Sequence, residues 1–257
     1  YMGMATLYGE RFSAPATPAV LALRDEIFLE RWDAIDWQRA RRTLRGGDMH
    51  VPPSKALTLA YEGLELLDRV RTRAQRAPIL AELREHIRYE LRSTSHTCIS
   101  PVSGLLDVLA LWVADANDPD VAKALDRFEG WVWEDEEDGM RVCGARSATW
   151  DTSFAAQALA MAYPALPSGE AKSRAREGLT GADAFLRSQQ IVHGTGREHD
   201  FYRIDPSGGY CFAGVWHGWP VSDCTAEAML ARMESPLASP EPAALEAASR
   251  FVLRCKN

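Results

Sequence analysis

Asp223 stands in the run Val221-Ser222-Asp223-Cys224-Thr225-Ala226-Glu227, just after the aromatic and glycine-rich stretch from Gly208-Gly209-Tyr210-Cys211-Phe212 to Trp216-His217-Gly218-Trp219-Pro220. A carboxyl among aromatic and apolar groups is held protonated by desolvation, which is what a general acid requires. The thiol of Cys224, donating to the other carboxyl oxygen, would stabilise the conjugate base and make the proton easier to transfer. The bland alternative is Asp223 as the N-cap of the following helix, with Cys224 as a small core residue; the residues by themselves leave both open. Tyr1, Trp150, Tyr210, Phe212, Trp216 and Trp219 fall around loops and helix starts rather than on regular stripes. They are either core or the wall of a cavity at helix ends. Aromatic faces stabilise a cation without offering a nucleophile. An acid with inert aromatic walls is the set needed for cationic cyclisation, in which water must be kept out.

Other chemistries lack their residues. His193 and His199 lie near Asp200, but no His-Glu-x-x-His or Cys/His grouping at ligand spacing occurs, so neither a zinc site nor another metal or cofactor is expected. The five cysteines are widely spaced without a Cys-x-x-Cys pair, which fits a reducing compartment. No Gly-x-Ser-x-Gly, phosphate-binding loop or dinucleotide fingerprint is present, and Gly208-Gly209 reads as a turn. A formal charge of −7 with both signs mixed along the chain argues against a nucleic-acid partner. The densest basic run, Arg71, Arg73 and Arg76, reads as a solvated helix face. No stretch of about eighteen apolar residues is available to span a membrane; contact with one membrane face stays open.

The elements that must position these residues are helices. Residues 1–12, with no charge before Glu10, read as buried chain. Apolar residues at helical spacing predict helices over 19–29, 35–42, 55–74, 79–91, 101–113, 121–133, 153–163, 170–190, 226–233 and 242–255. Trp32 and Trp37 read as core. Glu134 to Gly139 reads as an acidic turn and 194–209 as a polar connection. No β alternation of any length is seen. Paired helices of this length joined by short loops imply an all-α chain of the α/α solenoid or toroid kind.

The block Val221-Ser222-Asp223-Cys224-Thr225-Ala226-Glu227 resembles the catalytic-acid motif of the oxidosqualene cyclases, which form lanosterol, cycloartenol and related triterpenes. Trp150-Asp151-Thr152-Ser153-Phe154-Ala155-Ala156-Gln157-Ala158 resembles a second block of that family. Tyr8-Gly9 with Arg11-Phe12, Ile35-Asp36-Trp37 and Asp138-Gly139-Met140 fall in matching order. The resemblance implies a double α-barrel, of which 1–130 would be the later part of the first and 131–257 the beginning of the second, catalytic one. The remainder of a longer cyclase chain would then be a partner. It implies that Asp223 protonates the epoxide of 2,3-oxidosqualene and that Cys224 tunes it. It implies cation-stabilising walls at Trp150 and Phe212, a channel residue at Tyr1 and cavity-lining positions at Pro101, Val102 and Gly144. Three positions tied to product choice read Ala145, His217 and Val221, a combination that names no single skeleton. Cyclases acting on squalene carry an Asp-x-Asp-Asp acid; here its outer aspartates are Val221 and Cys224, which favours an epoxide. A water-insoluble substrate implies monotopic attachment, on the cytoplasmic side of a membrane. The competing readings are a squalene-type or other class II terpene cyclase, and a non-catalytic α/α-toroid serving as a binding module.

Overall fold

The computed structural model describes residues 1–37, 46–144 and 146–256. Ala145, one of the positions tied to product choice, lies outside them, as does most of the helix expected over 35–42. The chain divides into two compact units, one of residues 1–8 with 81–257 and one of residues 9–80.

Within the unit of residues 9–80, helix α2 (Pro18–Ile27) is opened by Thr17, whose hydroxyl accepts the Val20 N–H, and by Pro18 at its first position. Helix α3 (Lys55–Val70) is opened in the same way by Ser54, which accepts the Leu57 N–H at 3.2 Å. Neither helix has a buried residue, and Leu57, Leu59, Leu64, Leu67 and Val70 are all exposed. Trp32 and Trp37 were expected in a core. They pack instead on each other and on Phe28, with ring centroids 4.4–5.7 Å apart, and both stay partly open to solvent.

Within the other unit, helix α1 (Met2–Glu10) begins the chain. Only Gly3 and Thr6 are buried in it, so the expectation of a buried segment over 1–12 holds for those two alone; Met4 and Tyr8 face outward. Helix α4 (Arg73–Ser93) begins six residues before the expected start and carries Pro78 internally. The chain tolerates Pro78 because it falls near the helix N-terminus, where the lost N–H costs one bond to a carbonyl in the first turn. Helix α5 (Pro101–Ala114) is set by a reciprocal capping box between Ser100 and Ser103. Helix α6 (Pro119–Phe128) is tied back to α4 by Arg88 on Asp118 and Arg92 on Asp120, each at 2.7–2.8 Å. Ile87, Leu91, Cys98, Ala110, Leu111, Val121 and Ala124 form the core among these three helices.

The helix expected over 121–133 stops at Phe128. A short 3-10 turn follows, then an antiparallel hairpin of β1 (Val132–Asp135) and β2 (Gly139–Val142). The expected acidic turn is the tip of this hairpin, where Asp135 Oδ1 accepts the N–H groups of Glu137 and Asp138. The second β element is shorter still: β3 (Tyr210–Cys211) pairs with β4 (Pro220–Val221), Tyr210 opposite Val221. The chain is nonetheless mostly helical, as expected. Helix α7 (Ala148–Ala162) packs on α8 (Glu170–Gln189) and α9 (Ser222–Glu234), and α9 packs on α10 (Pro242–Arg254). Ala156, Leu186, Tyr210, Ala228, Ala231 and Ala248 fill this second core. Small residues on α7, α9 and α10 allow close approach.

No helix among the described residues is long and apolar enough to cross a membrane.

Candidate active site

Strand β4 runs straight into α9, so the acid motif is a strand-to-helix corner. Val221 is the N-cap of α9, with extended backbone and no side-chain cap bond, and Asp223 is the second residue of the first turn. Asp223 is therefore not the N-cap that the bland alternative envisaged. Its Oδ1 accepts the N–H of Cys224 at 2.8 Å, satisfying one of the orphan donors of the helix start. A carboxylate there is also favoured by the helix dipole.

The side chain of Asp223 is exposed, whereas Cys224 beside it is fully buried. The expectation that apolar neighbours desolvate Asp223 is thus not met by the residues of this unit. The corner turns the carboxyl outward and the thiol inward, because adjacent helical positions point about 100° apart. Burial, then the neighbouring Asp223 charge, pushes the Cys224 thiol up to about 12. The thiol is therefore neutral in this setting and not poised as a nucleophile.

The aromatic residues singled out with the acid come together in part. Trp150, in the first turn of α7, and Phe212, next after β3, lie with ring centroids 5.4 Å apart, and the Trp150 N–H bonds to the Phe212 carbonyl. Phe154, one turn along α7, closes edge-on to Trp150 at 4.7 Å. Phe154 was quoted only as part of a motif; its spacing of four residues from Trp150 is the signal that places both on one helix face.

His217 is buried, with Nε2 3.1 Å from the carbonyl of Cys98 and Nδ1 without a hydrogen-bond partner among the described residues. Burial, opposed by the Cys98 carbonyl, lowers its pKa, so the ring is neutral at physiological pH. Gly218 follows with positive φ, and a Cβ there would collide with the Ser93 carbonyl, which is why the chain can pass so close to the end of α4. Gly208, also at positive φ, lies so close to the Ala247 carbonyl of α10 that a Cβ there would collide with it too, in the expected turn.

The other expected site residues do not join this group. Tyr1 and Val102 are exposed, Gly144 is exposed with open space around it, and Pro101 is buried at the start of α5. None of the four shares a hydrogen bond or ring contact with Asp223, Trp150 or Phe212 among the described residues. A cleft of about 410 Å³ lies elsewhere, between the 126–131 turn and Trp216, and neither the acid nor the Trp150–Phe212 pair lines it.

One cluster escaped the sequence reading because its members sit on α4, a loop and α5. Glu90, Cys98 and Asp107 bring one polar atom each within 4.8 Å of one another, with Cys98 Sγ 3.9 Å from Asp107 Oδ2. The set is one ligand short of a closed tetrahedral zinc site. Burial, then the charge of Glu90, raises the Asp107 carboxyl to about 7.

No protein-family model matches the chain. Several curated proteins do. Cycloartenol synthase of Dictyostelium discoideum is 29% identical over 228 residues, covering 88% of this chain and 31% of that protein. Lanosterol synthase of Homo sapiens is 32% identical over 233 residues, covering 90% and 31%. Alpha-onocerin synthase of Lycopodium clavatum is 32% identical over 239 residues, covering 90% and 30%. The chain spans about a third of the length of the curated relatives it matches. Over nearly all of its own length, then, the chain belongs to the oxidosqualene cyclase family.

Proposed function

We propose that the protein to which this chain contributes cyclises 2,3-oxidosqualene to a polycyclic sterol-type triterpene, an isomerisation that needs no cofactor. The observation that carries the reading is the corner at 221–224: an acid in the first turn of α9, beside a buried neutral thiol and two residues from the Val221 that pairs with Tyr210, the strand leading to the Trp150–Phe212 rings. Relatives named lanosterol and cycloartenol synthase support the substrate class.

In this reading Asp223 donates its proton to the epoxide oxygen and the C–O bond breaks, leaving an alcohol and a tertiary carbocation. Successive double bonds attack in turn, each forming one C–C bond and moving the charge onward. The cascade ends when a proton is lost, so atoms balance and the product is an isomer of the substrate. Trp150 and Phe212 present π faces to the migrating charge. Cys224 donates to the carboxylate left behind. The exposed side of Asp223 is the side that a substrate, and the further chain that encloses it, would cover; that cover supplies the desolvation that keeps the acid protonated. His217, Val221 and Ala145 bias the product, and Tyr1, Pro101, Val102 and Gly144 line the substrate's path. Residues 1–130 and 131–257 are assigned to the two α-barrels. The outward apolar residues of α2 and α3 suit one face of a membrane.

Full-length protein incubated with oxidosqualene and separately with squalene, followed by gas chromatography with mass detection, tests this. A single sterol-type product from the epoxide and none from squalene is expected. Asp223→Asn should abolish it; turnover that persists in that variant excludes Asp223 as the acid.

A further inference from the structure

We infer that Thr225 is the positioning residue that holds Asp223 in register with the aromatic wall, an inference resting on the reading of Asp223 as the acid. Tyr210 and Val221 oppose each other in the β3–β4 pair. In a hydrogen-bonded antiparallel pair, the N–H of one residue meets the carbonyl of the other directly. Here a side chain stands between them. The Tyr210 N–H donates to Thr225 Oγ1 at 2.9 Å, and that hydroxyl donates onward to the Val221 carbonyl at 2.7 Å. The rung of the ladder has been lengthened by one hydroxyl, and that hydroxyl belongs to the acid-bearing helix.

Three features make this bond decisive. Thr225 and Tyr210 are 0% and 1% exposed, so water cannot replace the hydroxyl if it is removed. Val221 has no side-chain cap bond, and the bond from the Cys224 N–H to Asp223 Oδ1 is local to the first turn, so the Thr225 hydroxyl is the side chain that ties the start of α9 to β3. Asp223 and Phe212 each lie two residues from the rung, on opposite arms of it, so a shift at Thr225 changes the distance from acid to wall directly. The far arms are anchored: the Phe212 carbonyl takes the Trp150 N–H, and the Tyr210 hydroxyl takes a 3.3 Å bond from buried Arg232, which pairs with Asp183. The rung therefore joins two fixed parts, and the hydroxyl is needed both as donor and as acceptor. Serine supplies both; valine, of nearly the same shape, supplies neither.

The test uses the full-length protein. Steady-state kinetics with oxidosqualene are measured for Thr225→Val, Thr225→Ser, Thr225→Ala and Asp223→Asn, together with hydrogen exchange of the peptide containing Tyr210. Thr225→Val should lower kcat about 10²-fold, the scale of a displacement near 1 Å at a reacting group, with KM little changed. Exchange at the Tyr210 amide should quicken in Val and Ala, and Ser should restore both readouts. Should Val fail to fold, Ala against Ser carries the same comparison. Turnover in Val or Ala within a few-fold of the parent overturns the inference, as does a Ser variant as impaired as Val, which would make the methyl the important group. If Asp223→Asn keeps turnover, the parent reading falls instead; an inactive Asp223→Asn beside a normal Thr225→Val removes only the role of Thr225.

Discussion

The unit formed by residues 1–8 and 81–257 contains two aspartate–cysteine pairs in opposite surroundings. Asp107 is 4% exposed, with Cys98 Sγ 3.9 Å away, Glu90 alongside and Gly3 packed so tightly that a Cβ there would lie 2.8 Å from Oδ1. Asp223 is exposed, and it is the thiol beside it that is buried. The first pair has the desolvation of a general acid and no room for a substrate. The second has open access and no desolvation of its own. Burial and access are separate requirements, and an acid acting on a large apolar substrate meets both only when the substrate and further chain close over it.

The sharpest way to break this contrast is to remove each acid in turn from the full-length protein. Asp223→Asn should lower turnover of oxidosqualene by at least about 10³-fold, equivalent to roughly 4 kcal/mol of barrier. Asp107→Asn should leave turnover within a few-fold, since its carboxyl is packed away from any ligand. Rates measured by product chromatography that came out the other way round would exchange the roles assigned to the two aspartates.

Next in size is the effect of pH on stability. The Asp107 carboxyl, lifted by burial and then by the charge of Glu90, titrates at about 7 in the fold, against about 4 for an unperturbed aspartate. Its folded form holds a proton that the unfolded chain has already released, so stability is highest below the unfolded pKa. It falls as pH rises from about 4 to 7 and then levels. Three pKa units at about 1.4 kcal/mol each set an upper limit near 4 kcal/mol. Denaturant melts across pH 4–8 should show this decline, and Asp107→Asn should flatten it. An unchanged slope in that variant would place the titration elsewhere.

A smaller effect is expected at the second thiol. Cys224→Ser keeps a donor of similar size next to Asp223 but a harder and less acidic one, and should lower kcat by about tenfold, or 1.4 kcal/mol. An unchanged rate would remove the tuning role and leave Cys224 as core.

These contrasts bear on how far the sequence could be read. Helices were legible where the apolar pattern ran unbroken, as over Pro101–Ala114 and Glu170–Gln189. The hairpin at 132–142 was not, because four-residue strands are too short to show alternation, and Val132-Trp133 continues the apolar run of α6. The start of α4 was misjudged because Pro78 reads as a boundary when it can equally sit near a helix start. Asp223, Cys224, Trp150 and Phe212 were singled out through linear motifs, and the fold sets the first two at one corner and the last two ring to ring. The Glu90–Cys98–Asp107 cluster and the Thr225 rung were not. Both are made by side chains from separate elements, and a bond across 15 residues, as from Tyr210 to Thr225, leaves no spacing rule behind. The exposure of Asp223 was equally hidden, since the sequence gives neighbours along the chain and burial depends on neighbours in space.

The smallest effect tests whether the thiol of the buried pair is a partner or merely a filler. Cys98 is 0% exposed and its S–H donates weakly to Asp107. That bond favours the ionised carboxylate and works against the upward push of burial. Cys98→Ala should therefore move the midpoint of the pH-dependent stability change upward, in addition to a uniform loss of about 1 kcal/mol from the vacated sulfur volume. A uniform loss with an unmoved midpoint would make Cys98 a filler. If Cys224→Ser also slows turnover as expected, the two pairs would then differ in chemistry as well as in access.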